Sequence, residues 1–219
     1  IDTIKKLDIF YIESQAEMMI PKYLKNLREF GVISNVNHKP IFENRWVIPI
    51  KNNGGKVMNL VGYSPKADER YIFGSSTYYS RGNTLYGLEN MNEAIKKGYA
   101  IITEGITDTI KLRDLGIDNS FATCGTSKSD SIMTQLNRLR YGVIFVPDRD
   151  WAGEQTKKHW ITNRFIRLKI SFKFKDLDEM LKEQEYVELF KSYYEECVKY
   201  LKEKEHLGYK HEPKEITII

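Results

Sequence analysis

Acidic residues follow several short apolar runs of this sequence in pairs. The pairs are Glu104 with Asp108, Asp148 with Asp150, and Asp176 with Asp178. A spacing of two puts both side chains on the same side of an extended segment, and a spacing of four stacks them on one helix face. Converging carboxylates repel each other unless a hard cation is present, so the set predicts a Mg²⁺ or Mn²⁺ site. Such ions neutralise phosphate and activate an attacking oxygen, which indicates chemistry at phosphate groups.

The apolar runs that position these acids are typical of parallel strands alternating with helices. The runs cover residues 99–103, 120–124 and 142–146, with a weaker fourth at 164–172, and helices are expected at about 105–115, 130–140 and 151–162. Ligands of an open parallel sheet gather outside the carboxyl ends of its strands, where the acids would lie. We therefore expect an α/β fold whose parallel sheet is flanked by helices.

The flanking parts of the chain have different patterns. Residues 13–30 have the periodicity of an amphipathic helix, and residues 45–61 predict a β-hairpin around Asn52-Asn53-Gly54-Gly55. A long amphipathic helix is expected beyond residue 183, followed by loose last residues. The predicted organisation is a small mixed α+β subdomain (1–91), an α/β metal-binding subdomain (92–182) and a C-terminal helical extension (183–219).

Composition narrows the class of protein further. The 219 residues carry 34 basic and 30 acidic side chains, and a formal net charge of +4 is too mild for a histone-like packaging protein. Cys124 and Cys197 are the only cysteines, which excludes a disulfide framework and a zinc ribbon within this chain. No apolar run is long enough for a membrane span, and the first six residues are not those of a signal peptide. We expect a protein of the reducing cytoplasm, without membrane association, and a first residue of Ile suggests an excised domain.

Three segments together resemble the TOPRIM signature that primases, topoisomerases and some nucleases share. They are Glu104-Gly105-x-x-Asp108, the Gly125-Thr126 loop, and Asp148-x-Asp150-x-Ala152-Gly153. Their order, spacing and strand context all agree with that signature. The resemblance implies a TOPRIM-type sheet in residues 92–182.

Further segments resemble bacterial-type, DnaG-like DNA primases. They are Arg45-Trp46-Val47-Ile48-Pro49-Ile50 with Gly55-Lys56-Val57, then Arg70-Tyr71-Ile72, then Arg81-Gly82-x-x-Leu85-Tyr86-Gly87-Leu88, and Lys175-Asp176-Leu177-Asp178-Glu179. The resemblance covers roughly residues 42–182. It implies the catalytic core of a primase, which polymerises a short RNA primer on single-stranded DNA.

Frequent Lys, Ile and Asn suggest an AT-rich genome such as that of a phage, whose protein would work in its host's cytoplasm.

The same resemblance assigns roles to residues. Glu104, Asp108, Asp148 and Asp150 would be catalytic metal ligands, and Asp176 and Asp178 would complete the metal site. Basic groups near the template or the triphosphate would be Arg45, Lys56, Arg70 and Arg81, with Lys128 a weaker candidate. Single-stranded DNA and ribonucleoside triphosphates are the expected partners. A zinc-binding template-recognition module and a replicative helicase are expected outside this chain.

Departures from the primase pattern leave alternatives open. Arg149 stands between the paired aspartates where a small residue is usual, Phe73-Gly74 replaces Asn-Ser, and Tyr63 replaces a common Arg. Another TOPRIM enzyme, a nuclease or a topoisomerase fragment, would use the same acids to cleave a phosphodiester. A catalytically silent module that binds single strands is the third possibility, although the acids at all six positions favour an enzyme.

Overall fold

The computed structural model describes residues 2–13, 28, 32–34, 40–74, 84–124, 130–149, 165–207 and 214–219. The chain forms two compact units, residues 1–80 and residues 81–219. The helices predicted at 13–30 and 151–162 lie almost wholly outside the described residues. Within the described part of the chain, no helix is both long and apolar enough to cross a membrane.

The first unit contains a four-stranded antiparallel sheet, ordered β1-β2-β3-β4. After a short helix α1 (Asp2–Lys6), the strands are β1 (Phe10–Ile12), β2 (Arg45–Lys51), β3 (Val57–Tyr63) and β4 (Tyr71–Phe73). The predicted hairpin between β2 and β3 is confirmed. Its turn is held by Asn52, whose side-chain oxygen accepts from the backbone N–H groups of Gly54 and Lys56, both at 3.0 Å. Gly55 adopts a positive φ of 78°, which a side chain would strain.

The second unit is built on a five-stranded sheet whose pairings are all parallel, ordered β6-β5-β7-β8-β9. The strands are β5 (Tyr99–Thr103), β6 (Ser120–Ala122), β7 (Gly142–Val146), β8 (Phe165–Lys169) and β9 (Lys214–Thr217). The predicted parallel sheet is therefore confirmed. Because β5 is flanked by β6 and β7, the first three runs are adjacent strands, with β6 at one edge of the sheet and β7 in its centre.

Helices cover both faces of this sheet. They are α2 (Met91–Lys97), α3 (Ile106–Asp114), α4 (Asp130–Leu136), α5 (Leu177–Met180) and α6 (Gln184–Glu203), with single 3-10 turns at Leu88–Asn90 and Lys204–Leu207. Alternate strand residues point to opposite faces, so Ile101 and Ile144 pack with α5 and α6 while Ile102 and Phe145 pack with α2 and α4. The long C-terminal amphipathic helix is confirmed as α6.

The predicted fourth strand is confirmed as β8 but is shorter than expected, and the expectation of loose last residues is wrong for residues 214–217. The fourth strand ends at Lys169, because the chain turns at residues 172–173. Residues 214–217 form β9, where Ile216 is buried and Glu215 pairs with the buried Arg167 at 3.2 Å, and Ile218 directly after the strand is also buried. The sequence hid this strand because it is only four residues long and three of those residues are polar or charged.

Candidate active site

The predicted acids of the second unit follow the carboxyl ends of its central strands. Glu104 comes directly after β5, and Asp148 comes two residues after β7. The final residues of these strands, Thr103 and Val146, are paired neighbours, so both acids leave the same edge of the sheet. The carboxyl ends of parallel strands share one edge, as the sequence-based argument required.

Asp108 is the most buried of these acids, with 2% of its surface exposed. It lies in the first turn of α3, and its Oδ1 accepts a 2.7 Å hydrogen bond from the backbone N–H of Asp178. Gly105, which precedes the helix, leaves room for the carboxylate, because a Cβ at that position would overlap Oδ2 of Asp108. The EGxxD spacing thus has a steric reason in this fold.

The pKa of Asp108 is raised from 3.8 to about 8. Burial is the largest cause, and the negative charge of Asp148 is the next. Asp176 and Asp178 raise the pKa further, while the hydrogen bond from the Asp178 backbone lowers it. Asp108 therefore lies within electrostatic reach of carboxylates from the other two acidic pairs.

Two threonines fix the start of α3 against the end of β5. The Thr103 hydroxyl is 2.8 Å from the Thr109 hydroxyl and donates to the Gly105 carbonyl at 2.9 Å. Both side chains are buried. These contacts hold the backbone on either side of Glu104, so they orient the acid at the strand end. This role could not be predicted from the sequence, because neither a threonine at a strand end nor one in a helix indicates such a contact.

The third acidic pair begins helix α5. The Asp176 side chain accepts from the Glu179 backbone N–H at 2.8 Å, and the Glu179 side chain accepts from the Lys175 backbone N–H at 2.8 Å. Asp178 forms an ion pair with Lys182 at 2.8 Å. Asp176 is thus also a helix cap, a role that this residue type favours independently of any metal.

A backbone hydrogen bond connects the loops that carry the second and third pairs. The Arg149 N–H donates to the Lys175 carbonyl at 3.0 Å. Asp148 and Asp176 each neighbour one of these residues, so the bond fixes the distance between their loops. This contact joins positions that are far apart in sequence and explains why both acids influence Asp108.

The described residues do not by themselves form a complete metal-binding site. No three Asp, Glu, His or Cys side chains of the described ranges are grouped closely enough to hold a metal ion. Asp150, Arg81, Lys128 and the Gly125-Thr126 loop lie outside those ranges. The donor set nevertheless fits Mg²⁺ or Mn²⁺ chemically, because all predicted ligands are carboxylate oxygens. Neighbouring carboxylates also add to the burial that raises the pKa of Asp108.

The predicted basic residues of the first unit differ in what they contact. Nη1 of Arg45 donates to the backbone carbonyls of Glu69 at 2.9 Å and Arg70 at 3.2 Å, so part of this guanidinium stabilises the loop before β4. Lys56 lies in the hairpin turn, and both Lys56 and Arg70 are exposed. Their contact with phosphate stays a prediction.

A small cavity next to Asp148 was not foreseen from the sequence. It measures about 190 Å³ and lies among the residues that follow β7, the end of β8 and Thr217 of β9. Phe172 and Arg149 contribute to its lining. No sequence pattern could have indicated it, because one wall belongs to the strand that was expected to be loose.

Comparison with protein families agrees with the geometry of the second unit. The family described as Toprim-like matches residues 101–181, which run from within β5 to the end of α5 and hold all six predicted acids. Residues 101–181 are thus similar to Toprim-like domains, in agreement with their parallel sheet and its acidic edge.

Within that class, the chain is similar to bacterial DnaG-type DNA primases. It is 33% identical over 166 residues to the DNA primase of Aquifex aeolicus, covering 70% of this chain and 33% of that protein. It is 30% identical over 134 residues to a Staphylococcus aureus DNA primase, covering 58% of this chain and 22% of that protein. The chain therefore spans about a fifth to a third of the length of these relatives.

Solved primase structures share the fold. The zinc-binding and RNA polymerase domains of the Aquifex aeolicus primase match 90% of this chain and 52% of theirs, with a TM-score of 0.72 and 25% identity. A DnaG catalytic domain bound to single-stranded DNA matches 89% of this chain and 67% of its own, with a TM-score of 0.73 and 20% identity. The chain has the fold of a DnaG-like primase catalytic core with a Toprim domain.

Proposed function

We propose that this chain is the catalytic core of a DNA primase, which synthesises short RNA primers on single-stranded DNA by metal-dependent nucleotidyl transfer. The observation that carries the proposal is the placement of Asp108, buried within the electrostatic reach of Asp148, Asp176 and Asp178 at the carboxyl edge of a parallel sheet. Similarity to DNA primases supports the reaction type.

In this proposal the acids hold divalent cations and the basic residues hold phosphate. Glu104, Asp108, Asp148 and Asp150 bind the catalytic Mg²⁺ or Mn²⁺, and Asp176 and Asp178 complete the site. Bound cations would neutralise the triphosphate and activate the attacking 3′-hydroxyl. The buried hydrogen bond from Asp178 to Asp108 holds that carboxylate in one orientation, so little reorganisation is needed when substrate binds. Pyrophosphate leaves.

The proposed partners follow from the same assignment of the acids to cations and of the basic residues to phosphate. Residues 1–91 would carry the basic face for template and nucleotide phosphates through Arg45, Lys56, Arg70 and Arg81, and residues 92–182 the metal site. Residues 183–219 would extend the core, since α6 packs on the sheet. Template selection would come from a zinc-binding module outside this chain, and a replicative helicase would recruit it in the bacterial or host cytoplasm.

Two other functions are weaker. A nuclease or topoisomerase fragment would use the same acids, but the relatives named above are primases and their similarity to this chain extends beyond the Toprim-like segment. A silent single-strand-binding module would have little need to keep a carboxyl group as buried as Asp108, since burying a polar group is costly. Ribonucleotide incorporation separates these functions from primer synthesis.

The decisive experiment measures alkali-labile product formed from ribonucleoside triphosphates on single-stranded DNA with Mg²⁺ or Mn²⁺. Asp148→Asn keeps the side-chain shape but removes a ligand charge, and Asp150→Asn does the same at the predicted partner. Each should lower incorporation by at least about 100-fold, because even residues that only orient metal ligands are worth about 10- to 100-fold. Asp68→Asn, at an exposed position of the first unit, is the matched control and should retain activity. Normal RNA synthesis by both site variants would refute the metal assignment.

A further inference from the structure

Phe172 is an aromatic side chain that the fold leaves in solvent beside the proposed active site. It is 68% exposed, whereas Ile170 and Phe174, two positions away on either side, are 4% and 8% exposed. The reversal occurs because the chain turns here, with the Phe174 N–H donating to the Ser171 carbonyl at 3.2 Å. Phe174 packs edge-on against Tyr186 in the core, while Phe172 stays at the rim of the cavity next to Asp148.

Positive groups of the same cavity accompany this ring. Arg149 is exposed, and its backbone is fixed by the hydrogen bond to the Lys175 carbonyl. Lys169 lines the cavity from the end of β8, where its ammonium pairs with Glu215 at 3.1 Å. The site thus combines an aromatic face with cationic side chains, the combination that binds single-stranded nucleic acid.

The size of the cavity limits what it can hold. At about 190 Å³ it is smaller than the roughly 300–1,000 Å³ of pockets that enclose whole drug-sized ligands. A single planar ring system fits this space better than a complete nucleoside triphosphate. Arg149 lines the same cavity and is exposed, so its guanidinium can contact a phosphate attached to a base inside the cavity.

We propose that this cavity binds one nucleobase, stacked on Phe172, with Arg149 contacting the adjoining phosphate. The inference rests on the proposed function, because it makes the cavity a substrate subsite next to Asp148. The base belongs either to a nucleic acid strand or to a free nucleotide. Stacking depends on the flat face that all bases share, so the subsite would position a nucleotide without selecting its sequence.

Fluorescence quenching of 2-aminopurine tests the proposal, because stacking on an aromatic ring quenches this base. One arm uses a short single strand in which 2-aminopurine is moved position by position, and the other uses 2-aminopurine riboside triphosphate. Phe172→Ala should abolish the quenching in whichever arm shows it and raise Kd by about 5- to 150-fold, the range expected from losing one stacked base. Phe172→Tyr keeps the ring and should restore binding.

Matched controls separate stacking from general loss of apolar surface. Phe10→Ala removes an exposed aromatic side chain of the first unit and should leave the quenching unchanged. Replacing the quenched base with an abasic site should weaken wild-type binding but leave Phe172→Ala unaffected. Arg149→Ala should weaken binding and reduce its dependence on salt. Quenching in the strand arm alone assigns the base to a strand, and quenching in the triphosphate arm alone assigns it to the incoming nucleotide.

The outcomes distinguish failure of this inference from failure of the proposed function. Equal quenching by wild type and Phe172→Ala, or an equal loss in Phe10→Ala, would overturn the subsite even if the chain makes RNA. If quenching depends on Phe172 but the chain makes no RNA, the base-binding cavity would be supported and the proposed primase function would be refuted. Circular dichroism of Phe172→Ala should match wild type, because the ring contributes little to the core.

Discussion

Asp108 sits in surroundings unlike those of a solvent-exposed carboxylate. The unfolded chain ionises it near pH 3.8, whereas the folded, metal-free chain keeps it protonated up to about pH 8. Between these values the folded state binds more protons than the unfolded state, so this residue makes the folding stability fall as pH rises. Its stabilising contribution is complete below pH 3.8 and is lost by about pH 8.

We therefore expect the Asp108→Asn variant to lose less folding stability than wild type as the pH is raised, when both are measured in the presence of a chelator. Asn keeps an oxygen that accepts from the Asp178 N–H but cannot ionise. The melting temperature of the variant should exceed that of wild type at about pH 8, and the two should differ less at about pH 4. Each kcal/mol of stability gained by the variant should raise its melting temperature by roughly 2–4 °C. Saturating Mg²⁺ should stabilise wild type but not the variant. A variant that melts below wild type at both pH values would contradict this electrostatic account.

Lys56 and Arg45 provide a second comparison at the residue scale. Lys56 is exposed, whereas Arg45 is tied to two backbone carbonyls. If Lys56 binds a template phosphate, Lys56→Ala should weaken single-strand binding equally for all sequences and reduce the salt slope by about 0.7. Fluorescence anisotropy at several salt concentrations measures both quantities. Lys66→Ala, at another exposed position of the first unit, is the control. An unchanged slope would remove Lys56 from the proposed face.

At the scale of elements, the sequence predicted the features that depend on local patterns. The apolar runs gave β5, β6 and β7, and the Asn-Asn-Gly-Gly turn gave the hairpin between β2 and β3. Features that depend on distant contacts escaped prediction. Arg113 reads as a surface charge on an amphipathic helix, yet it is 5% exposed. The acids could be placed at one sheet edge, but the hydrogen bond between Asp108 and Asp178 spans 70 positions and has no sequence signal.

Arg113 connects α3 to the segment before α2. It donates to Glu89 at 2.8 Å and to the carbonyls of Gly87 and Ser120 at 3.2 Å each. Its guanidinium also lies 5.4 Å from the centre of the Tyr86 ring. Gly87 has a φ of 99°, and a Cβ there would overlap this guanidinium, which explains the glycine in the Leu85-Tyr86-Gly87-Leu88 segment.

Arg113→Met should lower the free energy of unfolding by up to about 3 kcal/mol, since Glu89 is partly exposed and can be rehydrated. Arg140→Met is the matched control, because Arg140 pairs with Glu205 at the surface and its loss should cost less than about 1 kcal/mol. Urea denaturation of both variants measures the difference. Equal costs would mean that the buried network does not stabilise the second unit.

The unforeseen docking of the C-terminal segment can be tested with the two residues that directly follow β9. Ile218 is fully buried, whereas Ile219 is 82% exposed. Ile218→Ala should lower the free energy of unfolding by about 2–5 kcal/mol, the range for core isoleucine, while Ile219→Ala should change it by less than about 0.5 kcal/mol. Similar small effects for both would show that the C-terminal segment is not docked as a strand.

At the scale of the whole molecule, the proposed function separates the predicted metal-binding acids from the means of choosing a template. All six acids lie within residues 104–178 of this chain. The two cysteines, Cys124 and Cys197, are both buried, and two cysteines cannot build a zinc ribbon. The Aquifex aeolicus structure that matches this fold contains a zinc-binding domain in addition to its polymerase domain. A net charge of +4 over 219 residues gives only modest attraction to a single strand at physiological salt.

We expect these 219 residues alone to make RNA poorly and without strong template preference. Adding a primase zinc-binding module, in cis or in trans, should raise incorporation and restore preferred start sites, because it raises the effective concentration on the template. Sequencing of products on mixed-sequence templates measures both effects. The same module with its zinc-binding cysteines replaced by serine is the control. Efficient, selective initiation by this chain alone would place recognition inside the core.

The position of the metal ions tests the central claim most directly. Anomalous scattering from a Mn²⁺-soaked crystal of this chain would locate them. We expect Mn²⁺ bound by carboxylate oxygens of Asp148 and its predicted partners at the carboxyl edge of the sheet, and loss of that signal in Asp148→Asn. Mn²⁺ bound only elsewhere, or an unchanged signal in the variant, would contradict the account.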